Sequence, residues 1–541
     1  MLRITGGKVH DPANGIDGVV RDVCIADGRI VARAEGGRTI DASGMVVLPG
    51  GVDIHTHVAG AALNFARGMT PENFRRAVPF LRTPERRAGL GGITPTTFAT
   101  GYLYAGMGWT TVNEAAVPIL SARHTHEELR DIPIVDKTTC VLMANNEIVL
   151  DLLEAGELER AKHVVAWLIW AAKAYGVKAV NPGGIVAWKW GRNANTLSAP
   201  VEGYSKVTPA TIISSLAGII DELRLPHPLH IHGNNLGVPG NVSTTIETMK
   251  VLEGRRAHLA HLQFHAYGGD DWGSMRSEAA ALAEQFNARK DLTADAGAVL
   301  FGDALTITAD GPWQHLLYQL TGRKWGNVDV ENETGCGIVP YVYKGSSLVN
   351  AVQWAAGLEL LLLVEDPWRI FLTTDHPNGG CFWRYPELIR LLMSADHRRE
   401  CLKQLPAKAL KRIVLPELDR QYTRSEIAII TSAGPARALG LPQKGHLGVG
   451  ADADVALYDE GRDGGLEFAY PRYVIKGGEI VVEEGEIRAV SEGREFIVRP
   501  SFDEQIEEYL RPLFQKVYTM SFDNYPVEME RLARPDVQAC G

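Results

Sequence analysis

The hydrophobic and polar positions fall into three textures along the chain. From Leu2 to Leu48, short β-rich pieces (Leu2-Arg-Ile-Thr, Val20 to Ala26, Arg29-Ile-Val-Ala) are broken by Gly6-Gly7 and Asp27-Gly28, the pattern of a small antiparallel sheet. That texture returns near the other end, in Ala453 to Tyr458, Tyr473 to Val482 and Gly485-Glu-Ile-Arg. Between them, strand-like runs alternate with helical ones, which predicts parallel βα units. Met45-Val-Val-Leu-Pro49 is an apolar run closed by Pro and two Gly, so a new buried strand begins at Gly50-Gly-Val-Asp-Ile-His-Thr-His57. After Phe98 to Tyr104, the stretch Gly106 to Ala116 is a second strand candidate, and Lys137 to Met143 is a third. Leu152, Leu153, Val164, Leu168 and Ile169 recur at helical spacing, predicting one long helix over roughly Glu147 to Tyr175 with Gly176 as its C-cap.

Composition narrows the class. A formal net charge of -10 is mild for 541 residues and argues against general nucleic-acid binding. No apolar run reaches the roughly 18 residues that a membrane span needs, and Met-Leu-Arg-Ile-Thr-Gly-Gly is no signal peptide, so a cytoplasmic location is expected. The six cysteines, at 24, 140, 336, 381, 401 and 540, form no C-x-x-C pair, which excludes a recognisable zinc ribbon or disulfide framework and predicts reduced thiols.

The candidate chemistry sits at strand ends. Side chains alternate along a strand, so Asp53, His55 and His57 are expected on one face, where two imidazoles can hold one metal ion. Lys178 lies inside the apolar run Val177-Lys-Ala-Val-Asn-Pro-Gly-Gly; an unpaired ammonium there is costly, and the plainer alternative is an edge lysine with its head in water. In His227-Pro-Leu-His-Ile-His-Gly, His230 and His232 share a face, and His232 lies nearer the C-terminal end, where barrel active sites sit; His230 is the alternative. Ala257-His-Leu-Ala-His-Leu-Gln-Phe-His offers His258, His261 and His265, and Ile370-Phe-Leu-Thr-Thr-Asp ends in Asp375, a position that a turn or helix cap would also explain.

The phrase Pro49-Gly-Gly-Val-Asp-Ile-His-Thr-His57 resembles the first-strand motif of the amidohydrolase superfamily, and Lys444-Gly-His-Leu-Gly-Val-Gly-Ala-Asp-Ala-Asp-Val-Ala456 resembles that family's return from the barrel. The resemblance implies an α/β fold, a (β/α)8 TIM-like barrel over residues 52–423. It also implies a small β-sandwich from 1–51 plus 424–498, and leaves 499–541 as a C-terminal extension. It points to His261 within its cluster and implies a binuclear metal centre of His55, His57, Lys178, His232, His261 and Asp375. Lys178 would be carboxylated to N6-carboxylysine, whose carbamate bridges the ions, and Asp375 would be both ligand and catalytic base. Imidazole and carboxylate donors favour zinc, with manganese, iron or cobalt able to replace it.

Further phrases, among them Val180-Asn-Pro-Gly-Gly, Asn234-Asn-Leu-Gly, Glu333-Thr-Gly-Cys-Gly-Ile-Val-Pro-Tyr and Thr374-Asp-His-Pro-Asn-Gly-Gly, are similar to a narrower family. Its members are the A subunits of formylmethanofuran dehydrogenases and of the bacterial formyltransferase/hydrolase complex. That similarity, from about Leu2 to Val498, implies hydrolysis of a formylated methanofuran-type carrier to formate and free amine, with the other subunits of such a complex as partners. The alternatives are condensation in the archaeal direction, a dihydropyrimidinase-like hydrolase of cyclic amides, and a non-catalytic structural subunit. Ile506, Tyr509, Leu510, Leu513 and Phe514 form an amphipathic candidate that docks a partner or straps the chain's own barrel.

Overall fold

The structure is a computed structural model that describes residues 1–327, 337–461, 463–518 and 520–540. Glu333 to Cys336 of the phrase quoted above lie outside the described residues.

Eight parallel strands form the central sheet: β1 (Gly51–Thr56), β2 (Trp109–Val117), β3 (Asp136–Leu142), β4 (Gly176–Val180), β5 (Leu229–His232), β6 (Ala257–Leu259), β7 (Leu292–Asp295) and β8 (Ile370–Phe371). Each hydrogen-bonds to the next in sequence order, and a parallel bridge from Thr56 to His376 brings the last strand back to the first. This is a (β/α)8 barrel. Its strands are buried on both faces; β4 is apolar apart from Lys178, whereas β2 and β3 also bury Thr110, Thr111, Asn113, Thr138 and Thr139.

Two local expectations are corrected. Gly156 adopts a left-handed conformation (φ 77°) and ends a first helix, Glu147–Ala155, so the expected long helix is two, the second being Leu158–Ala171. Gly176 therefore opens β4 instead of capping that helix. Thr97–Ala105 is helical and leads into β2.

Strands from both chain ends share a seven-stranded sheet. Met45–Pro49 pairs antiparallel with Val455–Asp459, between Lys8–Asp11 on one side and Tyr473–Lys476 on the other. Leu2–Thr5 centres a separate four-stranded sheet, and Ile4, Ile25, Val47 and Val455 belong to one apolar cluster shared by the two sheets. Glu495–Val498 pairs with Pro535–Gln538 and touches β3 at Lys137, so it extends the barrel sheet.

A buried ionic cluster joins barrel and end sheets. Lys444 and Lys476 both bind Asp136 of β3 and Asp454, and Arg494 joins Asp136 to Asp452. The three carboxylates are close enough together to hold a cation, but Lys444 Nζ already occupies that role, 2.8 Å from Asp452 and 2.6 Å from Asp454.

The C-terminal helix Ile506–Val517 straps the chain's own barrel. Leu510 and Phe514 are buried, and the Phe514 ring meets Trp167 edge-on, with ring centroids 5.7 Å apart. No helix among the described residues is long and apolar enough to cross a membrane. Among them, Cys24, Cys140, Cys381, Cys401 and Cys540 are free thiols.

Candidate metal centre

The first strand delivers His55 into the barrel and His57 just past its C-terminal end. His55 Nε2 lies 3.2 Å from Asp375 Oδ1, and His57 Nε2 lies 3.1 Å from the same oxygen. Lys178, on β4, places Nζ 2.7 Å from His55 Nε2. These four form one half of the site. The other half is His232, at the end of β5, and His261, just beyond β6; His232 Nδ1 and His261 Nε2 face each other at 3.0 Å. All six residues expected from the sequence therefore converge at the C-terminal end of the barrel, and five of them line one cavity, with His55 beneath it. Asp53 does not join them; its carboxylate accepts the hydroxyls of Tyr104 and Tyr385 at 2.8 and 2.7 Å.

Electrostatics follow from burial and from the mixture of charges. Burial lowers the pKa of His55, His232 and His261, which keeps imidazole lone pairs available near neutrality. Burial also lowers the pKa of Lys178, favouring its neutral amine. Burial would raise Asp375, but His55, His57 and Lys178 outweigh it and hold the carboxyl below its ordinary value. Burial opposes protonation of His57 as well, yet hydrogen bonds to Asp375 and Glu114 push it up to about 9.

The donor set fits divalent cations. His55, His57 and Asp375 offer donor atoms within 4.8 Å of one another, and so do His232, His261 and His265. His261 Nδ1 and His265 Nε2 are buried polar atoms without a hydrogen-bond partner, and His232 Nε2 has only Asp310 Oδ2 at 3.5 Å, an arrangement that a purely structural cluster would not tolerate cheaply. Buried imidazole and carboxylate oxygen are the ligands of borderline ions such as zinc.

Several supporting residues were not anticipated. Glu114, on β2, accepts from His57 Nδ1 at 3.0 Å and from the backbone N–H groups of Val58 and Ala59 at 2.6 and 3.0 Å. Asp295 ends β7 and contacts His55 Nδ1 at 2.9 Å. An acidic residue closing the apolar run Leu-Thr-Ala-Asp295 is the same signal that marks Asp375, and it was available in the sequence. Glu114 carried no such signal, because it lies inside a strand. His230 points at His55 from below, Nε2 to Nδ1 at 3.3 Å, so it supports the site instead of lining the cavity.

The cavity has a volume of about 270 Å³ and walls that are mainly apolar and aromatic. Phe264 and Trp272 follow β6, while Trp313, on the helix Gly311–Thr321, and Tyr341 and Tyr343, on a small antiparallel sheet, belong to the insertion between β7 and β8. A mostly apolar pocket with the donor cluster in its lining suits a ligand with one polar reacting end and an apolar or aromatic neighbour.

Comparison with known proteins agrees with this geometry. Residues 38–482 match the amidohydrolase family. The chain is 44% identical to protein FwdA of Methanocaldococcus jannaschii, covering 97% of this chain and 96% of that one. It is 38% identical to the Fhc A subunit of the formyltransferase/hydrolase complex of Methylorubrum extorquens, over 97% of this chain and 96% of that one. The crystal structure of the formyltransferase/hydrolase complex FhcABCD from Methylorubrum extorquens with methylofuran contains a chain that superimposes with a TM-score of 0.93 at 37% identity, covering 100% of both chains.

Proposed function

The chain belongs to the amidohydrolase family, and on that premise we propose that it hydrolyses the N-formyl group of a formylated methanofuran-type carrier to formate and free amine. It would do so as the A-type component of a formyltransferase/hydrolase complex, with the other components as its partners. The observation that carries the reading is the convergence of six donor side chains, five lining a largely apolar cavity and His55 beneath it, in a chain that matches FwdA and the Fhc A subunit over nearly all their length.

His55, His57, Lys178, His232, His261 and Asp375 would hold two divalent cations, with zinc the best suited. When bound, such cations polarise a carbonyl and lower the pKa of water near neutrality. Carboxylation of Lys178 requires its neutral amine: the nitrogen adds to CO2, a C–N bond forms, and one proton leaves, converting a buried neutral amine into a carbamate anion. Depression of the Lys178 pKa by burial supports this. Asp375 would take a proton from the attacking water and pass it to the departing amine nitrogen, so that a neutral amine leaves. Its carboxyl is held below the ordinary carboxylate range, ready to accept at neutral pH. Tyr341, Trp272 and Trp313 would pack against the furan-bearing arm of the substrate and exclude water from it.

The test is metal content per chain by elemental analysis, together with formate release from an N-formylfurfurylamine. About two zinc ions per chain with formate release is the expected result. Turnover of hydantoins with no release from formyl amines would replace this reading with a cyclic-amide hydrolase. A folded chain with neither metal nor formate release would make it a structural component.

A further inference from the structure

Asp295 takes no part in the proposed reaction, yet its carboxylate is fully buried and accepts four hydrogen bonds. Oδ1 accepts from the Thr373 hydroxyl at 2.8 Å and from the His261 backbone N–H at 2.9 Å. Oδ2 accepts from His55 Nδ1 at 2.9 Å and His258 Nε2 at 3.1 Å.

An ionised carboxylate only accepts, so the network assigns the proton of His55 to Nδ1. A second series of contacts reaches the same conclusion from the bottom of the barrel. The Ala438 carbonyl, which also only accepts, lies 2.8 Å from His227 Nδ1. His227 therefore carries its proton on Nδ1 and presents a lone pair to His230 Nδ1 at 3.1 Å. His230 in turn presents its Nε2 lone pair to His55 Nδ1 at 3.3 Å. Both series end on one proton, which leaves the His55 Nε2 lone pair facing Lys178 and Asp375.

The other oxygen acts on the second half of the site. His261 has a left-handed backbone (φ 34°), strained for a residue with a Cβ. Asp295 pins its N–H, and Gly297 gives it room: a Cβ on Gly297 would lie 2.2 Å from the His261 Cβ.

We infer that Asp295 is the positioning residue of this centre, fixing the tautomer of His55 through one oxygen and the backbone of His261 through the other. This rests on the metal-centre reading above. Residues that orient metal ligands in this way change affinity by roughly 10–100-fold when replaced.

The test compares Asp295→Asn with Thr373→Val in the full chain, reading zinc affinity by competition with a chelator and the thermal midpoint of the metal-free protein. The Asp295→Asn side chain keeps the shape and one acceptor for His261 and Thr373, but its amide N–H groups conflict with His55 Nδ1–H. The expected result is a loss of zinc affinity of roughly 10–100-fold, with kcat recovering at saturating metal. Thr373→Val removes a bond to the same carboxylate without touching His55 and should leave affinity within about threefold, as a preserved acceptor requires. Wild-type affinity in Asp295→Asn, or an equal loss in Thr373→Val, would overturn the inference. Should Asp295→Asn fail to fold, imidazole nitrogen NMR of the metal-free wild-type chain decides: Nδ1-protonated His55 supports the assignment and Nε2-protonated His55 overturns it. A wild-type chain that binds no zinc would sink the metal reading, while the NMR result would still report on the tautomer.

Discussion

Lys178 Nζ and His55 Nε2 lie 2.7 Å apart, each side chain buried, on strands at opposite ends of the first half of the barrel. A charged ammonium in that position would face two imidazole-rich walls with Asp375 and Asp295 as its main compensation. The proposed carbamate would resolve this, so Lys178→Ala is expected to lose bound metal and to reduce formate release by more than the roughly 100-fold typical of a supporting residue. Partial rescue by millimolar short carboxylic acids would identify the missing group as an anion. Full activity of Lys178→Ala without added acids would exclude the carbamate.

Asp375→Asn separates proton transfer from substrate binding. Its side chain keeps the size and one oxygen of the carboxylate but cannot take a proton. The expected loss is roughly 10²–10⁴-fold in kcat, with KM within about threefold of wild type. Steady-state kinetics of formate release is the measurement, and a change confined to KM would remove Asp375 from the proton path.

Metal removal should be visible in stability. A ligand that binds only the folded chain stabilises it by about 4 kcal/mol at a thousandfold excess over its Kd. Dialysis against a chelator should therefore lower the thermal midpoint, and zinc should restore it. A midpoint indifferent to chelator, in protein shown by elemental analysis to have contained metal, would contradict binding at so buried a site.

The ionic cluster under the barrel gives a pH-dependent prediction. Burial would raise Asp136, but Lys444, Lys476 and Arg494 hold its carboxyl well below its ordinary value. A depressed carboxylate contributes stability above its unfolded pKa and loses it as pH falls through the lower folded value. Asp136→Asn should therefore destabilise the chain at neutral pH by up to about 3–5 kcal/mol, since it removes the carboxylate shared by Lys444, Lys476 and Arg494 and leaves Asp452 and Asp454 to offset the three cations. The difference from wild type should shrink on acidification below about pH 4, the unfolded aspartate range. Denaturant titrations at about pH 7 and about pH 3.5, on either side of that range, test this. A difference that is equal at both would assign the cost to packing instead.

Much of this centre was readable along the chain. His55-Thr-His57, His232, His261 and Asp375 lie at or near the ends of strand-like runs and Lys178 lies inside one, and period-two alternation together with placement in a strand is a local property that a sequence displays directly. The barrel was legible because strand-like runs alternate with helical ones along the chain, the pattern of parallel βα units. The break at Gly156 was missed because helical spacing continues on both sides of it, and only the left-handed backbone reveals the turn.

Other features depend on which strands become neighbours, and no local pattern encodes that. Glu114 belongs to β2 and reaches His57 only because β1 and β2 pair in parallel. His230 lies below the cavity and His232 opens into it because strand tilt and barrel closure set the depth of each side chain, though both share one face of β5. The two roles of Asp295 bring together residues 34 positions away at His261 and 240 away at His55. The candidate donor side chains can thus be picked out along the sequence, whereas their proton positions, their depth and their partners are decided by tertiary packing, because hydrogen bonding depends on distance in space and not on separation along the chain.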